Sequence, residues 1–468
     1  MHTLAKTNLN FAMSNKLNRR DFLQKSTLAG ASLSGFPLAA ANPTPLVTKD
    51  SNLLRVGIIG SGMRGQSHID LLLRRADSTV TAICDISDRM IKRSLDLFDQ
   101  HKAKAPKVYK GEQAYLDLLQ DDNVDAVLIA TPWRWHTEQA IAAMQAGKYA
   151  GMEVSGAFSL DECWQLVNTH EATGAPLFFL ENVCYRRDVM AVLNMVRKDL
   201  FGELVHLECG YQHDLRGVKF NDGETAYNSG VKFGEEAFSE ARWRTRHSVN
   251  RNGDLYPTHG IGPVAQYINI NRGNRLLYLT STSTKSRGLH EYIVNHPKGG
   301  PGHPNAKVRF ELGDIITTVV KTAKGESIII SHDTNLPRPY SLGFRVQGTK
   351  GLWMDVNDSI HLEGTSPGHQ WEPAKGYLKK HDHPLWQKYA NDAEGAGHGG
   401  MDWFLINDFV HSARNGTPPP IDVYDAATWL AITPLSEQSI AAGSQPQPVP
   451  DFTRGRWMVW ENRFAQAE

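Results

Sequence analysis

Cysteine is scarce. The chain has four, Cys84, Cys163, Cys184 and Cys209, with no C-x-x-C spacing. Neither a disulfide framework nor a zinc knuckle is implied, and the four read as core residues. An excess of charge is also lacking, because 50 lysines and arginines balance 50 aspartates and glutamates. That removes the basic field nucleic acid requires and the acidic bias of a disordered chain, and leaves a small, nearly neutral molecule as the expected partner. Beyond the N-terminal region no apolar run is long enough to span a membrane, so no stable membrane insertion is expected. There is no internal repeat, and no histidine pair has helical i, i+4 ligand spacing near the acids discussed below, so no metal is expected. At 468 residues, 41% of them hydrophobic, the chain exceeds what one core usually serves and suffices for two.

What is present begins at Arg55. The run RVGIIGSGMRGQSHIDLLLRRADSTVTAICD is an apolar strand, a glycine-rich turn, an amphipathic helix and a second strand ending in an acid. Gly60, Gly62 and Gly65 form G-x-G-x-x-G directly after the first strand, where the chain turns tightly and lets a pyrophosphate approach bare backbone. The helix that follows aims its free N–H groups at that phosphate. Asp85 closes the second strand roughly 20 residues on, where a carboxylate accepts from ribose hydroxyls and repels a 2′-phosphate. NAD is favoured over NADP, a preference moderated by the nearby Arg89.

Residues 1–41 differ in kind. Asn18-Arg19-Arg20-Asp21-Phe22-Leu23 precedes a mildly apolar stretch and then Ala39-Ala40-Ala41, the order of a twin-arginine export signal and its cleavage site. The expectation is export by the twin-arginine machinery to the periplasm or beyond, followed by a linker at 42–52. Such substrates cross already folded, so an NAD site on an exported chain fits a cofactor that is retained and recycled.

Strand and helix alternate to about residue 182, with strands at 124–130, 149–154 and 176–182 and a helix at 137–146. The expected fold class is α/β, with a Rossmann-type doubly wound parallel sheet over 53–182. Ligands gather at the carboxyl ends of such strands. That places Thr131 to His136, Glu153-Val154 and Glu181-Asn182 around one crevice. From residue 183 to 468 an α+β domain is expected, with an open, largely antiparallel sheet from strands at 204–212, 276–284, 315–322, 327–333 and 343–347. A helix at 257–271 crosses it, and the glycine- and histidine-rich stretch 364–400 reads as a long loop over the pocket. Helices at 402–415 and 424–442 follow, free to pack back on the first domain. The open sheet offers a face for a homodimer. Two clusters, Tyr211-Gln212-His213 and Tyr256-Pro257-Thr258-His259, bring histidine and tyrosine together, and a histidine at a helix start can serve as general base.

Residues 53–468 resemble the glucose-fructose oxidoreductase and inositol dehydrogenase superfamily, and within it glycoside hydrolase family 109, the NAD-dependent alpha-N-acetylgalactosaminidases. The segments carrying the likeness include GSGMRGQSH, TPWRWH, GMEVSGA, ENVCYRRDVM, RNGDLYPTHGIGP, HDTNLPRPYSLGF and GAGHGGMDWF. Ordinary members of the superfamily carry Glu-Lys-Pro, whose lysine assists hydride transfer, where this chain has Glu153-Val154-Ser155. The missing lysine argues against a plain sugar dehydrogenase. The resemblance implies a glycosidase, retaining in outcome, that removes terminal alpha-linked N-acetylgalactosamine from a glycan or glycoside. Bound NAD+ would oxidise the sugar at C3, acidifying C2–H; the C1 substituent would then be eliminated, water would add, and C3 would be reduced again. Cofactor contacts implied by the match are Gly60, Gly62, Met63, Arg64, Asp85, Trp133, Arg134, Trp135, His136, Glu153, Val154 and Asn182. The implied sugar-binding set is Tyr211, Arg244, Tyr256, Pro257, Thr258, His259 and Tyr340. Tyr211, His259 and Tyr340 share the proton transfers at C3–OH, C2–H and the leaving group, with Glu181 nearby. An exported NAD(P)-dependent sugar oxidoreductase of the same superfamily is the alternative, and a sugar sensor holding NAD structurally is a third reading.

Overall fold

The computed structural model describes residues 53–466; the expected export signal at 1–41 and linker at 42–52 lie outside the described residues. Six short runs form a parallel sheet: β1 (Leu54–Ile59), β2 (Ser78–Asp85), β3 (Lys107–Lys110), β4 (Ala126–Ile129), β5 (Tyr149–Met152) and β6 (Leu177–Phe179). Their order is β3-β2-β1-β4-β5-β6. Every residue of β4, β5 and β6 is buried, as in strands whose sheet is covered on both faces. The order reverses between β1 and β4, and at that switch point the carboxyl ends part to open a crevice.

Nine strands make the second sheet: β7 (Leu204–Gln212), β8 (Leu276–Ser283), β9 (Ile315–Thr322), β10 (Ser327–Asp333), β11 (Arg345–Gly348), β12 (Gly351–Met354), β13 (Ser359–Leu362), β14 (Glu372–Pro373) and β15 (Gln447–Pro448). Only β7 and β10 pair in parallel, and the other neighbours are antiparallel. Burial alternates along β9 and β10, the period-2 pattern of a sheet with one face on the core.

Three expectations are corrected. The stretch 364–400 is not a long loop, for it holds helices Ala374–Lys380 and Pro384–Ala393. Pro384 presets the second helix start, His383 accepts from Leu385 N–H, and Trp386 buries its ring while its indole N–H donates to the Tyr185 carbonyl at 2.8 Å. Of this stretch His398 lines the crevice. The helix expected over 424–442 is two, Val423–Leu430 and Ile432–Ala441, parted at Ala431. Nor are there two separate cores: one hydrophobic cluster runs from Leu54 to Ala465 through both sheets, with two small satellites. The returning helix Met401–Asn415 packs on the first sheet. Its Phe409 lies against the Tyr149 ring at 5.6 Å, in space that a Cβ on Gly151 would invade to 3.0 Å. Among the described residues no helix is long and apolar enough to cross a membrane.

Candidate active site

The carboxyl ends of the first sheet and the second domain enclose a cavity of about 1250 Å³. Ordinary ligand pockets run to about 300–1000 Å³, so this one holds a large ligand with space for a second. The three glycines of the first turn do different work. Gly60 has φ +89°, and a Cβ there would lie 2.6 Å from the Thr131 amide. A Cβ on Gly65 would sit 2.0 Å from the Gly60 carbonyl oxygen, so its absence lets helix Met63–Leu73 close on the turn. A Cβ on Gly62 would meet nothing within 4 Å, yet Gly62 lines the cavity; its bare backbone serves the space in front of it. Asp85 is held at the rim by Ser61 N–H at 2.8 Å and Ser87 N–H at 2.8 Å.

Deeper in, Arg64 donates to Glu153 at 2.6 Å and to Asp402 at 2.7 Å. Burial alone would raise the carboxyl pKa of Glu153, but the Arg64 charge and the His68 contact at 2.8 Å outweigh it and hold Glu153 ionised. Asp402 is likewise kept ionised against burial by Arg64 and His398. It also accepts from Asn182 Nδ2 at 2.7 Å, which fixes the amide and leaves Asn182 Oδ1 buried with no hydrogen-bond partner among the described residues. An orphaned buried acceptor on a cavity wall, together with the open backbone at Gly62, fits an NAD-type dinucleotide with one polar end at each place.

Trp133, Arg134, Trp135 and His136 form the turn after β4 and all line the cavity. Both ring nitrogens of His136 face backbone carbonyls, of Ser155 at 3.0 Å and Thr131 at 2.6 Å, so this histidine staples two strand-end loops together.

On the opposite wall, helix Thr258–Tyr267 lies directly on β7. A Cβ on Gly260 would come within 2.6 Å of the Gly210 amide, and one on Gly262 within 2.9 Å of Glu181 Cγ. These two glycines bring His259 beside Tyr211 and admit Glu181 beneath it. Glu181 is fully buried, accepts from Val183 N–H at 3.0 Å and contacts His259 Nδ1 at 2.7 Å. With Nδ1–H donated to that carboxylate, Nε2 is left without a protein partner among the described residues, on a ring that lines the cavity. Tyr211 packs at 5.5 Å from His259, 4.5 Å from Tyr256 and 6.4 Å from Tyr340. Burial raises the Tyr211 pKa against the opposing pull of Arg244, so its hydroxyl stays protonated at neutral pH. It contacts His213 Nδ1 at 3.2 Å. Arg244 is not a solvated surface residue: its guanidinium lies 4.8 Å over Trp133 and 5.2 Å over Tyr256 and pairs with Glu240.

Most of the residues singled out in the sequence therefore line one cavity. Of the site residues the resemblance implies, Pro257, Thr258, Glu181 and Tyr340 do not. Pro257 and Thr258 are buried at the helix start, Glu181 stands behind His259, and Tyr340 is 48% exposed, edge-on to His213 at 4.9 Å. Sequence reasoning missed Asp402 and His398, although their segment GAGHGGMDWF was noticed, and missed the roles of Gly260 and Gly262. Among the described residues no group of three or more histidine, cysteine or acidic side chains is placed to hold a metal.

Fold and site define a two-domain enzyme of dehydrogenase architecture, with a nucleotide-binding sheet and a second domain closing over its switch point. Residues 54–180 match the family model for the oxidoreductase family, NAD-binding Rossmann fold, and residues 185–459 match that for the glycosyl hydrolase 109 C-terminal domain. The chain belongs to glycosyl hydrolase family 109 and is a glycoside hydrolase. It is 53% identical over 454 residues to a glycosyl hydrolase family 109 protein of Stenotrophomonas maltophilia, covering 96% of this chain and 98% of that one. It is 50% identical to an alpha-N-acetylgalactosaminidase of Tannerella forsythia, covering 96% and 99%. In fold it is similar to a levoglucosan dehydrogenase in complex with NADH and levoglucosan, at 17% identity and TM-score 0.58, covering 85% of this chain and 100% of that one. A myo-inositol dehydrogenase from Lactobacillus casei matches at 15% identity and TM-score 0.56, covering 86% and 99%.

Proposed function

We propose that the enzyme removes terminal alpha-linked N-acetylgalactosamine from glycans, with retention, using an NAD+ that stays bound through the cycle. The Tannerella relative supports the sugar, and the absence of a lysine beside Glu153 supports hydrolysis over net dehydrogenation. One observation carries the mechanism: His259, backed by the buried Glu181, faces the same cavity as the dinucleotide turn. Bound NAD+ supplies a reversible oxidation of the sugar C3 hydroxyl, which acidifies C2–H. His259 Nε2 takes the C2 proton, and Glu181 orients the ring and stabilises the imidazolium that results. Tyr211 takes the C3–OH proton as it passes its own to the adjoining His213, and the pair returns both when C3 is reduced. Tyr340, exposed beside His213, would give its proton to the departing group. Gly60, Gly62, Met63 and Asp85 would hold the pyrophosphate and ribose; Asn182, fixed by Asp402, would accept a hydrogen bond from the cofactor. Arg244 with Trp133 and Tyr256 forms the sugar wall. The twin-arginine pattern at 1–41 supports an exported enzyme that carries its cofactor with it.

The test is twofold: NAD content of the purified protein, and release of para-nitrophenol from its alpha-N-acetylgalactosaminide without NADH build-up. A protein without NAD and without release when NAD+ is added would sink the reading. Net NADH formation from a free sugar would indicate the oxidoreductase instead.

A further inference from the structure

In an open Rossmann crevice the adenosine half of a dinucleotide faces solvent. Here the segment 221–243 of the second domain crosses it. At one end Tyr227 and Ser239 each donate to Met63 Sδ at 3.4 Å, beside the glycine turn. At the other, Arg89, four residues past Asp85, lies 3.9 Å over the Phe238 ring and donates to the Glu224 carbonyl at 3.3 Å. Met63 and Arg89 flank the places where a Rossmann domain holds pyrophosphate and ribose, so the segment spans the ligand between them. Phe238 and Ser239 themselves line the cavity.

The crossing is built rather than draped. Asn221 is fully buried; its side chain donates to the Phe238 carbonyl at 2.6 Å and accepts from Phe238 N–H at 3.1 Å and Gly223 N–H at 3.0 Å. Val231 and Phe233 root the segment in a satellite core of the second domain. Its far end delivers Glu240 to Arg244 on the sugar wall.

We infer that segment 221–243 is a strap forming the outer wall of the dinucleotide site, and that it holds the adenosine half of NAD in place between turnovers. The inference rests on the proposed retention of NAD. Exit of the cofactor requires the strap to lift from both Met63 and Arg89, breaking the Arg89–Phe238 contact.

The experiment times exchange of bound cofactor against radiolabelled NAD, and measures NAD retained after gel filtration, for the wild type, Phe238→Ala, Arg89→Gln and Asn221→Ala. Arg89 is exposed, so its variant does not threaten folding. Asn221 does not line the cavity, so its variant acts through the strap alone. All three are expected to exchange about two- to fivefold faster, the loss of one exposed cation–π contact or its support. Wild-type exchange rates in Phe238→Ala and Asn221→Ala would overturn the strap, including the case where only Arg89→Gln is faster. A wild type that neither carries nor takes up NAD would overturn the functional reading first, and the strap with it.

Discussion

His259 is a base only because of what lies behind it. The 2.7 Å contact from Nδ1 to a carboxylate with no exposure sets the tautomer, and a ring so held returns to the same place each cycle. Glu181→Gln keeps the shape and removes the charge that balances an imidazolium. We expect kcat to fall by about 10²–10⁴-fold, with NAD content unchanged and the acidic limb of the pH profile displaced, which a merely structural role would leave in place. A second residue sets a pH limit on the fold. Asp254 receives Tyr256 N–H on one oxygen while the other is buried without a partner among the described residues, and burial pushes its carboxyl up from 3.8 to about 7. A raised folded pKa favours the folded state at low pH, and this contribution is lost as pH rises from about 4 through 7. Asp254→Asn keeps the bond to Tyr256 and cannot ionise. Thermal melts across that window should show the variant losing less stability than the wild type, by at most about 4 kcal/mol at pH 8.

Among elements, the glycine turn separates fold from function within six residues. Gly65→Ala forces a Cβ to 2.0 Å from a backbone oxygen and should lower stability by about 1–3 kcal/mol or more. Gly62→Ala meets no protein atom, so the NAD-free protein should melt as the wild type does while its NAD content falls. Equal melting losses in both variants would remove the assignment. This element was legible in the sequence because strand, glycines, helix and acid all lie between Arg55 and Asp85, where spacing alone dictates geometry. The His259 helix was only half legible. Its start and its histidine could be read, but Gly260 and Gly262 acquire meaning only against Gly210 and Glu181, contributed by two other elements. Strands β12 to β15, of four residues or two, were too short for periodicity to mark, and the helices within 364–400 were hidden by their glycines and prolines.

Across the whole molecule, Asp402 ties the last third of the chain to the first turn of the fold. It lies 338 residues from Arg64, and no local pattern announces the pairing. The sequence indicated that C-terminal helices were free to return, but not that they carry a carboxylate binding Arg64, Asn182 and His398 together. Asp402→Asn strands Arg64 beside one acid rather than two and lets the Asn182 amide turn. Removing one partner of a buried pair costs about 3–5 kcal/mol, so denaturant unfolding should shift by that order, with NAD content falling in parallel. The single continuous core predicts that both domains unfold together, in one transition.

The central claim is that the glycosidic bond leaves by elimination from an oxidised sugar, with His259 moving the C2 proton. The most direct measurement is hydrolysis of para-nitrophenyl alpha-N-acetylgalactosaminide in deuterated water, with the released sugar examined by NMR. The account predicts deuterium at C2. Release with protium retained at C2 and no slowing of a C2-deuterated substrate would contradict it and indicate direct displacement at C1, whereas retention with slowing would mean that His259 returns its own proton.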